Sequence, residues 1–366
     1  MKSNYKRLGD YIQQVDVRNR DLAVTELVGL TINKAFIPSV ANTVGTDLSN
    51  YKIISHNQFA CSLMQVSRDE KMPIAIFKGD KAIMSPAYPM FEVVRTEELM
   101  PEFLMMWFSR KEFDREVTFW AVGGVRGSLT WEDFENLNIP VPPIEEQKKI
   151  VADYQAVERR IENNRLLIAA LENAAKTIYR KMFVDNIDPN NLPQGWRMGG
   201  VTDLSELKVG GDKPKVFSGN LTIECNVPIF SNGVIDDGLY GYTDKASISI
   251  PSFTISARGT IGKCFLRLKP YFSIVRLISV IPKNTDTLLY QFFFFSNLQI
   301  EGDGSVQNQL TAPFLASEKM IIPDMPSMRI FNSKVMPLYQ NIENINKEIH
   351  LLEQTLSLLL TKLSKY

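Results

Sequence analysis

Residues 144–183 read IEEQKKIVADYQAVERRIENNRLLIAALENAAKTIYRKMF. Apolar side chains recur in this stretch at alternating spacings of four and three residues, and the stripe consists of Ile150, Tyr154, Val157, Ile161, Ile168, Leu171, Ala175, Ile178 and Met182. Asn164 stands where the spacing requires one more apolar residue. This alternation keeps one apolar edge facing a partner helix and is typical of a coiled coil. At 1.5 Å per residue, the predicted helix is about 60 Å long.

The same stripe occurs a second time near the end of the chain. Phe331 lies 181 residues after Ile150, and the second stripe continues without a polar interruption through Val335, Leu338, Ile342, Ile345, Ile349, Leu352, Leu356, Leu359 and Leu363. We predict that the two long helices pair with each other as an antiparallel coiled coil. The residues expected in the central seam, or in a partner-docking surface, are Ile161, Asn164, Ile168, Leu171, Ile342, Ile345, Ile349 and Leu352. Two ordinary amphipathic core helices remain the alternative.

Both helices carry more apolar surface than one seam needs. The additional residues are Leu166, Leu167, Ala170, Ala174, Leu351, Leu358 and Leu360. An apolar stripe wider than the seam indicates a further partner that packs on the helices, or coverage by the globular parts of this chain.

The repeated helices divide the chain into a predicted α+β protein with an internal repeat. We expect a first globular domain at 1–143, the first long helix at 144–184, a linker at 185–195, a second globular domain at 196–323 and the second long helix at 324–366. Phe253-Thr-Ile-Ser256 is similar to Phe59-Ala-Cys-Ser62, and Leu310-Thr311 follows Leu129-Thr130 after 181 residues. Such a duplication predicts a molecule with pseudo-two-fold internal symmetry.

Local patterns in the first domain predict several elements. Residues 82–94 resemble two short strands, and Pro101–Phe113 resembles one helix with proline in its first turn. Residues 121–128 form a glycine-rich loop, and Thr130-Trp-Glu-Asp133 resembles a capping box that opens a short helix.

Composition limits the classes of function. The 366 residues contain 41 basic and 41 acidic side chains, so any nucleic-acid surface must be local. Three cysteines lack metal-ligand spacing, and His56 and His350 lie in no metal or triad motif, so we expect no metal site. No stretch has the pattern of a signal peptide or a membrane span, which predicts a cytoplasmic protein without membrane contact.

Motifs for catalysis are also missing from the sequence. Gly259-Thr-Ile-Gly-Lys263 lacks the spacing of a phosphate-binding loop, and Cys264 stands where that loop has its hydroxyl. No G-x-G-x-x-G motif follows a predicted strand. We therefore predict a chain without catalytic residues.

Four passages resemble the specificity subunits of type I restriction-modification systems. They are Pro228-Ile-Phe-Ser-Asn-Gly233, Tyr240-Gly-Tyr-Thr-Asp-Lys245, Ile255-Ser-Ala-Arg-Gly-Thr-Ile-Gly-Lys263 and Ile139-Pro-Val-Pro-Pro-Ile-Glu-Glu-Gln147. The first three are similar to the core of the family's target recognition domain, and the last is similar to its entrance to the long helix. The first domain departs from this pattern with a longer segment, Ser62–Lys71.

The resemblance implies a DNA-reading subunit with no cofactor of its own. Each target recognition domain would read one half of a split, asymmetric target in double-stranded DNA, and the paired helices would act as the spacer. Two methyltransferase subunits would dock on the helices, and restriction/translocase subunits would join them. S-adenosylmethionine, ATP and Mg²⁺ would belong to those partners. A non-enzymatic coiled-coil scaffold with protein-binding domains is the alternative function.

Base reading requires amide, guanidinium and hydroxyl groups, whereas lysines hold phosphates. In the second domain the candidates are Asn232, Tyr242, Arg258, Thr260, Gln307, Asn308 and Gln309, with Lys245 and Lys263 on phosphates. In the first domain they are Gln65, Arg68, Arg126 and Ser128, with Lys71 on phosphate. For each of them an ordinary loop residue is the alternative, and the glycine loops could be tight turns with no DNA nearby.

Overall fold

The computed structural model describes residues 5–39, 45–123, 129–298 and 309–365. The chain forms two compact units: unit 1 consists of Met1–Asn164 and Lys347–Tyr366, and unit 2 consists of Arg165–Asn346. Each unit therefore contains one globular domain and a part of both long helices. The predicted division at 143/144 and 323/324 separates domains from helices, whereas packing joins each domain to the helix segments beside it.

The described strands of unit 1 are short and mostly antiparallel. They are β1 (Tyr5–Arg7), β2 (Ile12–Gln14), β3 (Val28–Leu30), β4 (Phe36–Pro38), β5 (Lys52–Ser55), β6 (Phe59–Cys61), β7 (Ile74–Ile76), β8 (Lys81–Met84), β9 (Met90–Val93) and β10 (Asn138–Pro140). The central sheet has the order β2-β9-β6-β7, and β1-β10, β3-β4 and β5-β8 form separate pairs. The two strands predicted within 82–94 correspond to β8 and β9.

The helices that begin in the first domain are α1 (Val66–Asp69), α2 (Pro101–Phe108), α3 (Lys111–Gly123), α4 (Trp131–Glu135) and α5 (Ile144–Phe183). The predicted capping box is present, because Thr130 Oγ1 accepts from the Asp133 N–H at 3.1 Å and Asp133 Oδ2 accepts from the Thr130 N–H at 3.0 Å. The single helix predicted at 101–113 is wrong. Helix α2 ends at Phe108, and the hydroxyl of Ser109, the next residue, donates to the Met105 carbonyl at 2.9 Å.

A second helix, α3, follows α2 and extends through residues 121–123, the start of the predicted glycine-rich loop. The rest of that loop, 124–128, lies outside the described residues. The core beneath these helices is aromatic: Phe59 stacks on Phe91 at 4.9 Å between ring centroids, and Phe108 and Phe134 contact Phe91 edge to face. This core fixes α2 and α4 on the central sheet.

Unit 2 contains β11 (Arg197–Gly200), β12 (Ser205–Val209), β13 (Val227–Phe230), β14 (Leu239–Thr243), β15 (Ser252–Ile255), β16 (Cys264–Arg267), β17 (Phe272–Ser273), β18 (Ile278–Pro282) and β19 (Lys319–Ile322). Its further helices are α6 (Val201–Leu204), α7 (Leu288–Asn297), α8 (Ala312–Ser317) and α9 (Met325–Lys362). Short 3₁₀ turns in the two units cover Leu8–Asp10, Leu48–Asn50, Ile235–Gly238, Thr285–Thr287 and Leu363–Lys365.

The two domains repeat one topology. The central sheet of unit 2 has the order β12-β18-β15-β16, which matches β2-β9-β6-β7 strand for strand. In each domain the first strand pairs antiparallel with the strand that precedes a long helix, β1 with β10 and β11 with β19. The predicted internal repeat of α+β domains is confirmed.

The long helices pair antiparallel within each unit. In unit 1, Val151 near the start of α5 and Leu363 just after α9 share one buried cluster, and Arg160 Nε lies 2.8 Å from Glu348 Oε1. In unit 2, the rings of Tyr179 and Phe183 near the end of α5 contact Phe331 near the start of α9. Early residues of one helix thus meet late residues of the other, which confirms the predicted antiparallel coiled coil.

The predicted seam residues are buried or half-buried. Ile161, Asn164, Ile342 and Ile345 are at most 8% exposed. Ile168, Leu171, Ile349 and Leu352 are half-buried. Asn164 is the polar member of this set, and its Nδ2 has no hydrogen-bond partner in the described part of the chain.

The additional apolar residues of the helices stay largely uncovered. Leu166, Leu167, Leu351 and Leu358 are between 45% and 63% exposed. Leu360 packs against the core of unit 1. The globular domains therefore leave most of this surface open. Among the described residues, no helix combines the length and the apolar character that a membrane crossing requires.

Candidate nucleic-acid interface

The turn between β15 and β16 displays three of the predicted DNA contacts. Gly259 and Gly262 have φ values of +69° and +80°, a conformation that glycine adopts without strain. The reversal is closed because the Ser256 N–H donates to the Lys263 carbonyl at 2.9 Å. Arg258, Thr260 and Lys263 are exposed on this turn.

Arg258 is held by a second segment of unit 2. Its Nη2 donates to Gln309 Oε1 at 3.0 Å, and the Leu310 N–H donates to the Ala257 carbonyl at 2.9 Å. The fold thus brings together two of the residues predicted to read bases. The other two in that segment, Gln307 and Asn308, lie outside the described residues.

Asn232 uses its side-chain amide within the protein. Its Nδ2 donates to the Val275 carbonyl at 2.7 Å, and its Oδ1 accepts from the Ala257 N–H at 2.7 Å. Both halves of the amide are engaged, so this side chain connects the chain before Arg258 to the chain before Arg276. Sequence reasoning assigned Asn232 to base contacts and did not foresee these two bonds.

Two cations that the sequence did not suggest lie beside Arg258. A pocket of about 470 Å³ is lined by Gly210, Gly211, Asp212, Lys213, Arg258, Val275 and Arg276, together with Val209. Lys213 lies over the Phe217 ring at 3.1 Å from its centroid. Arg276 is exposed and forms no ion pair with any described residue. No motif marks Lys213 or Arg276, because long-range folding alone places them at this opening.

The remaining predicted contacts of unit 2 lie on another sheet. Tyr242 is half-buried in β14, and its backbone exchanges two hydrogen bonds with Ser218 at 2.8 and 2.9 Å. Lys245 is exposed two residues beyond this strand. None of the hydrogen bonds between described residues links these two side chains to the Arg258 turn.

A buried cation lies at the opposite end of the β15–β16 pair from the Arg258 turn, where Arg267 pairs with Ser252. Arg267, at the end of β16, is 6% exposed, donates from Nε to Thr254 Oγ1 at 3.1 Å and stacks 3.5 Å from the Phe230 ring centroid. Burial lowers the pKa of Arg267 to about 10, so its guanidinium stays charged at neutral pH. Arg267 thus joins β16 to β15 and to the Phe230 segment inside the domain.

The corresponding segment of unit 1 has a different form. Arg68 in α1 donates from Nε and Nη2 to the two carboxylate oxygens of Asp69 at 2.8 and 2.7 Å, and this bond lowers the pKa of Asp69. Gln65 precedes the helix with a buried Oε1 that lacks a partner in the described structure, and Lys71 is exposed. Arg126 and Ser128, the other predicted contacts of this domain, lie outside the described residues.

Unit 1 also contains an ion pair that sequence reasoning missed. Lys34 Nζ lies 2.8 Å from Asp114, whose carboxylate accepts from the Met72 N–H at 3.2 Å. Burial lowers the pKa of Lys34, while Asp114 acts in the opposite direction. The pair fixes α3 beside the segment that follows α1, so its role is to shape this loop.

Residues able to bind metal or act as nucleophiles are scattered. Among the described residues, no three His, Cys, Asp or Glu side chains are grouped as a metal site. Cys61, Cys225 and Cys264 are buried and unpaired. Burial raises the pKa of the Cys264 thiol to about 12 and also raises that of Cys61, so both thiols stay protonated at neutral pH.

The family described as type I restriction modification DNA specificity domain matches residues 66–173 and 193–354, more than half of the chain. The chain belongs to this family. The first matched segment covers the second part of the first domain and much of α5, and the second covers the second domain and much of α9. The predicted specificity subunit of a type I restriction-modification system is confirmed, and the scaffold alternative is not favoured.

Relatives of this specificity subunit come from bacteria and archaea. A Mycoplasma pneumoniae protein named as a type I specificity subunit is 26% identical over 265 residues, which cover 70% of either chain. The MjaIX specificity subunit of Methanocaldococcus jannaschii is 22% identical over 302 residues, 74% of this chain and 70% of that one. The crystal structure of an S subunit from M. genitalium superposes with a TM-score of 0.64 at 14% identity, over 98% of this chain and 95% of that one. This likeness shows a shared fold.

Proposed function

We propose that each target recognition domain of this specificity subunit reads one half of a split DNA target, and that the chain itself catalyses no reaction. The observation that carries the proposal is that the two domains repeat one sheet order, whereas the loop between β6 and β7 differs from the loop between β15 and β16. One scaffold, β2-β9-β6-β7 or β12-β18-β15-β16, presents unrelated side chains at the same topological position. Two different displays on one scaffold suit the recognition of two different short sequences.

In the second domain, Arg258 and Gln309 are the central base-reading pair. A guanidinium donates two parallel hydrogen bonds to guanine O6 and N7, and an amide oxygen beside it fixes its orientation. Thr260 contributes a hydroxyl, and Lys263 and Lys245 contact phosphates. Tyr242 contributes from β14, and Gln307 and Asn308 stay in the predicted set.

In the first domain, we assign base contacts to Gln65, Arg126 and Ser128 and a phosphate contact to Lys71. Gln65 has a buried amide oxygen without a partner among the described residues, which leaves this oxygen available to accept a hydrogen bond from a base. Arg68 has a smaller part here, because its charge is already offset by Asp69. Reading in this half-site therefore depends more on neutral polar groups.

The paired helices act as the spacer and as the docking surface for two methyltransferase subunits, with restriction/translocase subunits joining them. The exposed leucines Leu166, Leu167, Leu351 and Leu358 support docking, because an apolar stripe wider than the seam leaves helix surface for a partner. S-adenosylmethionine, ATP and Mg²⁺ are bound by these partners. The balanced charge of the chain supports a division in which partners supply much of the DNA affinity.

The test is selection from a random double-stranded DNA library by the chain in complex with its methyltransferase subunit. We expect two short conserved sequences at a fixed separation with unselected bases between them. A single continuous motif, or no enrichment at all, contradicts the proposal. The purified chain alone, given Mg²⁺ or S-adenosylmethionine, is expected to show no turnover, and turnover would contradict the non-catalytic assignment.

A further inference from the structure

The segment Ile274-Val-Arg-Leu277 connects β17 to β18 in unit 2. Its outer residues, Ile274 and Leu277, are 1% and 0% exposed. Ile274 also pairs with Gly211 in an isolated parallel β-bridge. Val275 is 48% exposed, and Arg276 is also exposed. The buried outer pair anchors a turn that presents the two inner side chains to solvent.

The backbone of this turn is strained. Val275 and Arg276 have φ values of +53° and +62°, and the Leu277 N–H donates to the Ile274 carbonyl at 3.1 Å. Two successive positive φ values are typical of a turn that prefers Asn-Gly. For a β-branched valine this conformation is an outlier, and it persists only where the surrounding structure enforces it.

Four hydrogen bonds from neighbouring segments enforce it. The N–H groups of Ile274, Val275 and Arg276 donate to the carbonyls of Phe230, Gly211 and Gly210 at 3.0, 2.8 and 2.9 Å. The Val275 carbonyl accepts from Asn232 Nδ2 at 2.7 Å. Glycine is required at 210, because a Cβ there would lie 2.8 Å from the backbone N and O of Ile274.

Asn232 also joins this turn to the turn that carries Arg258. Its Oδ1 accepts from the N–H of Ala257, the residue before Arg258. Arg258 and Arg276 line the same pocket of about 470 Å³ together with Lys213, and Asp212 lines it too without an ion pair to any of them. Three cations around an opening floored by glycine backbone suit an acceptor-rich group.

We infer that Arg276 is a specificity-determining residue for the second half-site, which donates to the O6 and N7 acceptors of a guanine, and that Asn232 is its positioning residue. This inference rests on the proposed function of the second domain. A bidentate base contact needs a fixed guanidinium, whereas a phosphate contact tolerates a mobile side chain. The strained turn is held by hydrogen bonds from two segments, 210–211 and 230–232, which fix the backbone from which the Arg276 side chain extends.

The test measures binding of the complex of the chain with its methyltransferase subunit to the selected target and to every single base-pair change in both half-sites. Arg276→Ala is expected to remove roughly ten- to hundredfold discrimination at one position of one half-site, the range of a bidentate contact. Arg276→Lys is expected to lose the same discrimination, because an ammonium lacks the planar fork. Asn232→Ala is expected to weaken discrimination at that same position and at the position read by Arg258, with the other half-site unchanged.

Arg329→Ala serves as the control, because Arg329 is an exposed arginine of unit 2 that pairs with Asp286 at 3.0 Å, and no change in the motif is expected. Uniform weakening on all sequences by Arg276→Ala, restored by Arg276→Lys, would indicate a phosphate contact and overturn the inference. A motif unchanged in Arg276→Ala would overturn it as well. Loss of the split motif already in the unsubstituted chain would instead contradict the proposed function.

Discussion

The connection between β6 and β7 in unit 1 corresponds to the connection between β15 and β16 in unit 2, because the two central sheets have the same strand order. The first contains α1 and binds Arg68 to its neighbour Asp69, so the guanidinium is neutralised within the loop. The second is a short glycine turn whose Arg258 is held by the neutral Gln309 and keeps its net charge. Equal scaffolds thus display a neutral and a cationic surface.

This difference teaches which parts of the subunit are shared and which are particular to one half-site. The helix seam contains residues of both units, so damage there should affect all recognition. The loops on the sheets serve one domain each, so damage there should affect one half-site. The expected outcomes below test this separation, beginning with the largest effect.

Ile345→Asp should affect both half-sites. Ile345 is 6% exposed in the seam, and a carboxylate there loses its hydration without gaining a partner, which should lower the free energy of unfolding by at least about 3 kcal/mol. Urea unfolding of the full chain measures this loss. Leu351→Asp, on the same helix at 62% exposure, is the control and should leave unfolding nearly unchanged. Equal effects of the two substitutions would contradict a buried seam.

Arg258→Ala should damage one half-site only. If Arg258 contacts guanine in the bidentate manner, binding to the target weakens by about 1–3 kcal/mol, and only the second half of the motif relaxes. Arg68→Ala is the matched substitution in unit 1, and because Asp69 already offsets the charge we expect a smaller loss of binding than with Arg258→Ala. Binding to DNA variants in each half-site measures both. Relaxation in both halves after Arg258→Ala would contradict two separate readers.

Asn164→Ile should stabilise the chain. The Asn164 Nδ2 is buried and has no hydrogen-bond partner among the described residues, and removing such a group recovers about 1–2 kcal/mol of the free energy of unfolding. The gain should be accompanied by altered stoichiometry with the methyltransferase subunit, because a polar seam residue specifies register. Asn163→Ile is the control, since Asn163 is exposed on the adjacent position. Unchanged stability and unchanged stoichiometry together would exclude a register role.

Alkaline pH should destabilise unit 2 through its buried tyrosines. In unit 2, burial raises the pKa of four tyrosines above the ordinary value of 10.0: Tyr179, Tyr271, Tyr290 and Tyr339. In unit 1, burial raises the pKa of two, Tyr11 and Tyr154, and that of Tyr154 reaches about 12. Above pH 10 the unfolded chain loses these protons and the folded chain keeps them, so stability falls as pH rises.

Tyr179→Phe should reduce that loss by up to about 1.4 kcal/mol per pH unit. Urea unfolding at pH values on both sides of 10 measures it. Tyr240→Phe is the control, because Tyr240 is 48% exposed, and its unfolding should follow the unsubstituted chain. An identical pH dependence of Tyr179→Phe and the unsubstituted chain would show that the buried phenol does not ionise on unfolding.

Sequence reasoning performed best where the signal was periodic. The stripes that begin at Ile150 and Phe331 predicted the seam, and the capping box at Thr130 predicted the start of α4. It failed at residues 101–123, because the apolar spacing there does not show that α2 ends at Phe108 and that α3 extends to Gly123. It also missed Lys213 and Arg276, which become neighbours of Arg258 only through pairing of distant strands.

The sequence by itself determined that the chain has two similar α+β domains and two long paired helices, because apolar spacing and internal repeats are local properties that survive any detail of packing. Only the tertiary structure decided that each compact unit includes parts of both helices, that the amide of Asn232 is used inside the protein, and that Arg68 and Arg258 differ in free charge. These outcomes depend on contacts between residues far apart in sequence. Such contacts are fixed by close packing and hydrogen bonding, which a pattern along one chain does not record.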